Sequence, residues 1–325
     1  MKRAAVPAAA ALLAAAAATG LIGAGAVGPD NRPEPPPPAA PASQAAPVLA
    51  GTTILLLGDS LAAGEGAGAY LTGTDQPGHL CHRSGEGLFA GTGAEVINVA
   101  CSRARTEDLT SGQYDFVYNN PAEAPQLVAA AGPKPDATVV FLGANDIGFA
   151  DIFNRCVLDS ADCTSDTRFT GQAKERATEV RGDLERAYKE IGATVGGRIL
   201  VPAYPQMFTT KGSCGQLSAA ESAFAEQLTL TLNQSIRQAA EAASHQYPGV
   251  QFVPSTEAAF AGRGACDTDP LVHTVRSTTL LSVAQQQLEG QELLHPSAEG
   301  YRALTIILQS TITAKPGSVA TPSSR

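Results

Sequence analysis

The sequence has 325 residues, six cysteines, 22 prolines, 32 glycines and a formal net charge of −9. These values are typical of a soluble globular protein with an attached targeting segment, and they exclude a membrane-embedded or wholly disordered chain. The acidic balance, without any run of Lys and Arg that could neutralise phosphates, argues against a nucleic-acid partner.

The N-terminal segment has the layout of a secretory signal peptide. Two basic residues, Lys2 and Arg3, precede an uncharged stretch that ends in the small-residue site Ala24-Gly25-Ala26. We therefore predict a signal peptide over residues 1–26 and export of the chain. The alternative is an uncleaved membrane anchor, since the stretch is long enough to span a bilayer, although its Ala and Gly content and Pro7 argue against it.

Composition also predicts the boundaries of the folded domain. Residues 27–50 are rich in Pro and Ala and have little to bury, so we predict an extended linker. Residues 315–325 look like a disordered tail of similar character. The remaining residues, 51–314, suit one large α/β domain.

The first predicted strand carries the first candidate for chemistry. An apolar run from Thr52 to Leu57 is followed by Gly58-Asp59-Ser60, and then by the start of a helix that breaks up in glycines. A strand that stops in a tight turn would display Ser60, where a nucleophilic serine belongs. Asp and Ser are also ordinary turn residues, so this motif alone does not decide.

Alternating strands and helices follow along the chain. The predicted strands are Val96–Ala100, Asp136–Leu142, Arg198–Pro202 and Gln251–Pro254, and the predicted helices are Thr170–Ile191, Ser218–Ser244 and Ala298–Ile312. This alternation predicts a parallel sheet covered on both faces, with a crevice at the carboxyl ends of its strands. Ser60, Arg103 and Asn145 each follow a strand end, so we expect them to converge.

The last candidate is a histidine in the loop before the C-terminal helix. Among the five histidines, His295 is the best placed to act as a base, because it precedes a Pro-Ser helix start and does not lie on an apolar face. Alone, it could equally be a surface loop histidine.

An even number of cysteines in an exported chain favours disulfides. In sequence order the six cysteines fall as three neighbouring pairs, Cys81/Cys101, Cys156/Cys163 and Cys214/Cys266, although nested pairings stay open. Zinc is the alternative for the segment His79-Leu80-Cys81-His82, but no second Cys/His pair completes a tetrahedral site.

Together these blocks resemble the GDSL, or SGNH, hydrolase family, and in particular its secreted actinomycete lipases and esterases. The resemblance is carried by Gly58-Asp59-Ser60-Leu61, Gly143-Ala144-Asn145-Asp146 and His295-Pro296, with added detail in Gly64-Glu65-Gly66-Ala67-Gly68, Cys81-His82-Arg83-Ser84 and Ala100-Cys101-Ser102. It implies a flavodoxin-like, three-layer α/β/α sandwich around a central parallel sheet. No metal or organic cofactor is implied.

The resemblance also implies the roles of individual residues. Ser60 would be the nucleophile, His295 its general base, and the oxyanion donors would be the Ser60 and Arg103 backbone N–H groups with the Asn145 side-chain amide. Arg103 stands where the family has Gly, and Ser102 is the alternative donor if the alignment is shifted. Glu292 stands where the family has Asp, so either its carboxylate completes a triad or a backbone carbonyl orients the imidazole.

The predicted function is therefore a secreted serine carboxylester hydrolase that acts on lipid or short-chain acyl esters, including phospholipids. We expect a monomer whose partner is its ester substrate, with no metal or nucleic acid. A carbohydrate O-acetyl esterase is the first alternative, although it would want aromatic platforms, and aromatic residues make up only 5% of the chain, with no Trp. The second alternative is a non-catalytic cell-surface protein on the same scaffold.

Overall fold

A computed structural model describes residues 49–76, 78–115, 120–132, 134–158, 161–208, 215, 217–275 and 290–314. The predicted signal peptide, most of the linker, the C-terminal tail and Cys214 lie outside the described residues. Within the described ranges, no helix combines the length and the apolar character needed to cross a membrane. Leu49 is already buried, and its N–H donates to the Thr92 carbonyl, so the packed domain includes at least the two residues before the predicted domain start.

A five-stranded parallel sheet forms the centre of the molecule, in the order β2-β1-β5-β6-β7. Its strands are β1 (Thr53–Gly58), β2 (Glu95–Asn98), β5 (Ala137–Phe141), β6 (Ile199–Pro202) and β7 (Val250–Val253). All five predicted strands are confirmed. A separate antiparallel hairpin, β3 (Gln113–Asp115) with β4 (Asn120–Glu123), was not predicted.

The central strands are buried on both faces. Side chains alternate between the two faces of a strand, yet every residue of β5 and β6 is buried. Helices must therefore cover both sides of the sheet, as in parallel sheets generally. This confirms the predicted α/β fold, and the strand order places the crevice where β1 and β5 lie side by side.

Seven α-helices are described: α1 (Ser60–Ala63), α2 (Gln126–Ala129), α3 (Phe149–Phe153), α4 (Thr167–Glu179), α5 (Arg181–Thr194), α6 (Ala219–Ser244) and α7 (Ala298–Thr313). The prediction of one helix over Thr170–Ile191 was wrong, because the structure interrupts it at Val180. Backbone hydrogen bonds continue on both sides of Val180, and the row of buried side chains continues from one helix into the next. The spacing of apolar residues therefore cannot reveal the break.

Two disulfides join described cysteines, Cys81 to Cys101 and Cys156 to Cys163, as in the sequential pairing. Cys266 is also disulfide-bonded, while Cys214, its predicted partner, lies outside the described residues. The zinc alternative fails, because the only cysteine in His79-Leu80-Cys81-His82 is oxidised.

Removing the two described disulfides should cost unequal amounts of stability. The bridges close loops with sequence separations of 20 and 7 residues, and closing a longer loop removes more entropy from the unfolded chain. We expect Cys81→Ser/Cys101→Ser to lower the free energy of unfolding by about 3 kcal/mol and Cys156→Ser/Cys163→Ser by about 2 kcal/mol. Denaturant titration of both double variants measures this; a less stable Cys156/Cys163 variant would contradict it.

Candidate active site

The turn after β1 is built to expose Ser60. Gly58 has φ +115°, and a Cβ there would lie 1.7 Å from the Phe141 carbonyl oxygen, so only glycine fits. Asp59 then caps α1 by accepting a hydrogen bond from the Leu61 N–H at 3.1 Å. The strand therefore ends abruptly, and Ser60 begins the helix at the carboxyl edge of the sheet.

Asp59 joins this turn to the loop after β5. Its carboxylate accepts a hydrogen bond from the Tyr204 hydroxyl, which in turn accepts the Ala144 N–H at 3.3 Å. Burial raises the Asp59 pKa from 3.8 to about 7, although the bonds from Tyr204 and Leu61 oppose the rise.

Asp146 has a similar anchoring role, because it accepts hydrogen bonds from the Thr106 N–H at 3.0 Å and from the Thr106 hydroxyl at 2.6 Å. Both carboxylates therefore anchor the loops that flank the site.

The raised Asp59 pKa predicts a pH-dependent stability. Between pH 4 and 7 the folded chain holds a proton on Asp59 that the unfolded chain releases, so this contribution is complete below about pH 4 and is lost as pH rises through about 7. We expect the stability of the wild type relative to Asp59→Asn to increase as pH falls from 8 to 5. Denaturant titrations of both proteins across this range measure it, and a pH-independent difference would contradict it.

Backbone hydrogen bonds hold the histidine loop against the neighbouring segment. The Leu294 N–H donates to the His273 carbonyl at 2.8 Å, and the His273 N–H donates to the His295 carbonyl at 2.9 Å. Ser297 then caps α7. His295 is thus held on both sides and is buried.

The structure brings Ser60 and His295 into direct contact. Nε2 of His295 lies 2.8 Å from Oγ of Ser60, within the distance that a nucleophile and its base require. An imidazole that accepts the hydroxyl proton at Nε2 carries its own proton on Nδ1. Among the described residues, Nδ1 has no hydrogen-bond partner.

The three predicted oxyanion donors line one cavity of about 390 Å³ with His295. Arg103 has φ +68°, a left-handed conformation that favours the glycine implied at this position by the resemblance. The Ser102 N–H already donates to the Cys81 carbonyl at 3.1 Å, so it is not the alternative donor.

The Ser60 and Arg103 N–H groups have no acceptor in the part of the chain that the structure describes. One Asn145 amide hydrogen donates to the Ala104 carbonyl at 3.0 Å, which leaves the other available.

Among the described residues, the Glu292 carboxylate forms no hydrogen bond with Nδ1 of His295. Its carboxylate, on a side chain that is 6% exposed, accepts a hydrogen bond from the Tyr70 hydroxyl. The Glu292 carbonyl accepts the His295 N–H at 3.0 Å, a contact that shapes the loop without touching the ring. The sequence left two groups that could orient the imidazole, the Glu292 carboxylate and a backbone carbonyl. Among the described residues, neither group forms a hydrogen bond with the imidazole Nδ1.

A narrow apolar pocket of about 90 Å³ adjoins Ser60 and His295. Much of its wall comes from α6, α3 and the segment after β6, and includes Ile147, Phe149, Ile152, Tyr204, Met207, Phe208, Leu228 and Leu232. None of these residues was predicted from the sequence to line the pocket. Apolar positions on a helix predict a buried face, and nothing in their spacing separates residues that line a pocket from residues that fill a core.

The chain is similar to a known protein family and to individual known proteins. A sequence model of the GDSL-like lipase/acylhydrolase family matches residues 56–303. The chain is 27% identical over 265 residues to Lipase 1 of Streptomyces coelicolor, an alignment that covers 79% of this chain and 85% of the relative. It is also 27% identical over 267 residues to a lipase of Streptomyces rimosus, with the same coverage.

Two solved structures share the fold. The extracellular lipase of Streptomyces rimosus superposes with a TM-score of 0.60 at 24% identity, covering 80% of this chain and 99% of that chain. Phospholipase A1 of Streptomyces albidoflavus NA297 superposes with a TM-score of 0.61 at 24% identity, covering 80% and 98%.

Proposed function

The chain belongs to the GDSL-like lipase/acylhydrolase family and is a carboxylic ester hydrolase, and we propose that it is an exported serine esterase that cleaves apolar acyl esters through an acyl-enzyme. The observation that carries this proposal is the 2.8 Å contact between His295 Nε2 and Ser60 Oγ. A serine hydroxyl is a poor nucleophile at neutral pH, and an imidazole at this distance can remove its proton during attack.

The proposed reaction has two halves. Ser60 Oγ attacks the ester carbonyl while its proton passes to His295 Nε2, and the oxyanion accepts hydrogen bonds from Ser60, Arg103 and Asn145. The intermediate collapses as His295 returns the proton to the leaving alcohol, which forms the acyl-enzyme. A water molecule, deprotonated by His295, then attacks the acyl carbon, and the bond to Ser60 Oγ breaks as His295 passes the proton to that oxygen, which releases the acid and free Ser60.

The two cavities beside Ser60 suggest how an ester would be oriented. The apolar pocket of about 90 Å³ suits the acyl chain, and the wider cavity of about 390 Å³, which Arg103 and Asn145 line, suits the alcohol. A phospholipid would present its anionic phosphate on the Arg103 side. Export is supported by Lys2 and Arg3 ahead of an uncharged stretch, and the similar Streptomyces rimosus protein is itself an extracellular lipase.

Hydrolysis of p-nitrophenyl esters, from acetate to octadecanoate, tests this function. Each methylene buried in the pocket contributes about 0.8 kcal/mol, or roughly fourfold in kcat/KM. Because the pocket is small, we expect kcat/KM to rise over the first few carbons beyond acetate and then to level off. An optimum at acetate would favour the O-acetyl esterase alternative instead.

Ser60→Ala is the control variant, because it removes the nucleophile and leaves the pocket intact. Activity that survives this change would not come from the proposed site. Absence of turnover above Ser60→Ala on every ester, with no labelling of the wild type by a fluorophosphonate, would reject the proposal. Phosphatidylcholine vesicles in the same assay show whether phospholipids are substrates.

A further inference from the structure

A buried carboxylate that the proposed mechanism does not use lies beside the Ser60–His295 pair. Glu65 is 2% exposed and lines the same cavity as Ser60, Arg103, Asn145 and His295. A carboxylate is rarely buried to this extent unless it is paired. Its partners and its neighbours therefore need a functional explanation.

Among the described residues, the Glu65 side chain has two polar partners. One carboxylate oxygen lies 3.2 Å from Nδ1 of the fully buried His82, and the other accepts a hydrogen bond from the Ser102 hydroxyl. Ser102 immediately precedes Arg103, the proposed oxyanion donor. The carboxylate thus ties down the loop on which that donor lies.

The Glu65 backbone is held just as firmly. Its N–H donates to the Ser60 carbonyl at 3.0 Å, and its carbonyl accepts the Tyr301 hydroxyl at 2.8 Å. The next residue, Gly66, packs so closely that a Cβ there would lie 3.0 Å from the His295 Cβ. Glu65 is consequently fixed between the nucleophile, the base and the oxyanion loop.

The charge on Glu65 is retained despite its burial. Burial alone would raise the pKa of Glu65, but the positive charge of a protonated His295, followed by the bonds and charge of His82 and the Ser102 hydroxyl, holds it below its usual value. The Glu65 carboxylate and the ring that becomes positive when Ser60 attacks line the same cavity, so the two charges influence each other through space. Glu292, whose carboxylate is one of the two sequence candidates for orienting His295, accepts a hydrogen bond from Tyr70.

We propose that Glu65 is a positioning residue that stabilises the imidazolium of His295 through space and fixes the Arg103 loop through Ser102. This inference rests on the proposed function. During attack the Ser60 proton moves to His295 Nε2, and Glu65 stays ionised and takes up no proton. A buried negative charge stabilises the transition state, in which the imidazole becomes positive, more than the ground state, in which it is neutral. Its loss should therefore lower kcat.

Glu65→Gln tests the proposal, because it removes the charge and keeps an oxygen that can accept from Ser102. We expect kcat to fall by about 10- to 100-fold with KM within about twofold, and fluorophosphonate labelling of Ser60 to slow by a similar factor. The exposed Glu86→Gln variant is the matched control and should behave as the wild type. Thermal unfolding of each variant separates a loss of charge from a loss of fold.

Glu292→Gln, measured in parallel, distinguishes the two carboxylates. We expect it to lose only a few-fold in kcat, whereas a completed Ser60-His295-Glu292 triad would make it lose about 10⁴-fold.

The proposal is overturned if Glu65→Gln matches Glu86→Gln, or if Glu292→Gln shows the larger loss. If Glu65→Gln does not fold, Glu65→Asp takes its place as the test. Because Glu65→Asp keeps the charge, it must keep more than about a tenth of the wild-type kcat. An activity as low as that of Ser60→Ala would reject the proposal. A wild type without turnover or labelling would reject the proposed function as well.

Discussion

Replacement of His295 by Asn is expected to lower kcat/KM for a chromogenic ester by at least about 10⁴-fold. His295 Nε2 is the group within reach of the Ser60 hydroxyl, at 2.8 Å, and Asn cannot accept and return a proton at neutral pH. Loss of the base should therefore resemble loss of the nucleophile. Steady-state kinetics of His295→Asn, Ser60→Ala and the double variant measure the effect, and the double variant should be no slower than the single ones, because the two residues act as a unit.

Two other histidines serve as controls for this experiment. His245, exposed at the C-terminal end of α6, should tolerate replacement by Asn without change in activity. His273 contacts the Gly66 carbonyl through Nε2 at 2.7 Å, so its replacement should reduce stability more than kcat. Retention of more than about 1% of kcat/KM by His295→Asn would contradict its role as the base.

Much of the fold and of the proposed catalytic pair could be predicted from the sequence for one physical reason. Parallel strands end at a common edge, so residues that directly follow strands, such as Ser60 and Asn145, are brought together by topology alone. The apolar runs of β1 and β5 are long and continuous because both faces of those strands are buried. Such signals are local and survive in the sequence.

The parts that could not be predicted depend on contacts between distant segments or on very short elements. Glu65 meets Ser102 and His82, which belong to two distant segments that the disulfide between Cys81 and Cys101 joins. Strand β3 has three residues and β4 contains a proline, so neither shows a period. The contact of Glu292 with Tyr70 instead of His295 likewise depends on side-chain direction, which spacing along the chain does not determine.

Replacement of Asn145 by Ala is expected to lower kcat by about 10²- to 10³-fold while KM changes little. The Asn145 amide lines the cavity with Ser60, Arg103 and His295, and one of its hydrogens is available for the oxyanion that forms only after attack. A donor that acts on the transition state alone raises kcat and leaves ground-state binding unchanged. Stopped-flow acylation by a chromogenic ester measures the step in which this donor acts.

Asn145→Asp provides the discriminating comparison, because it keeps the size of the side chain and replaces a donor by an acceptor. If the amide serves the oxyanion, the carboxylate of Asp should repel it, and Asp should be slower than Ala at a pH where it is ionised. If Asn145 only ties two loops through the Ala104 carbonyl, both variants should lose stability and kcat in parallel, with Asp no slower than Ala. That second pattern, or a loss in kcat below about tenfold for Asn145→Ala, would remove Asn145 from the oxyanion site and leave the stabilisation of the intermediate to the Ser60 and Arg103 backbone.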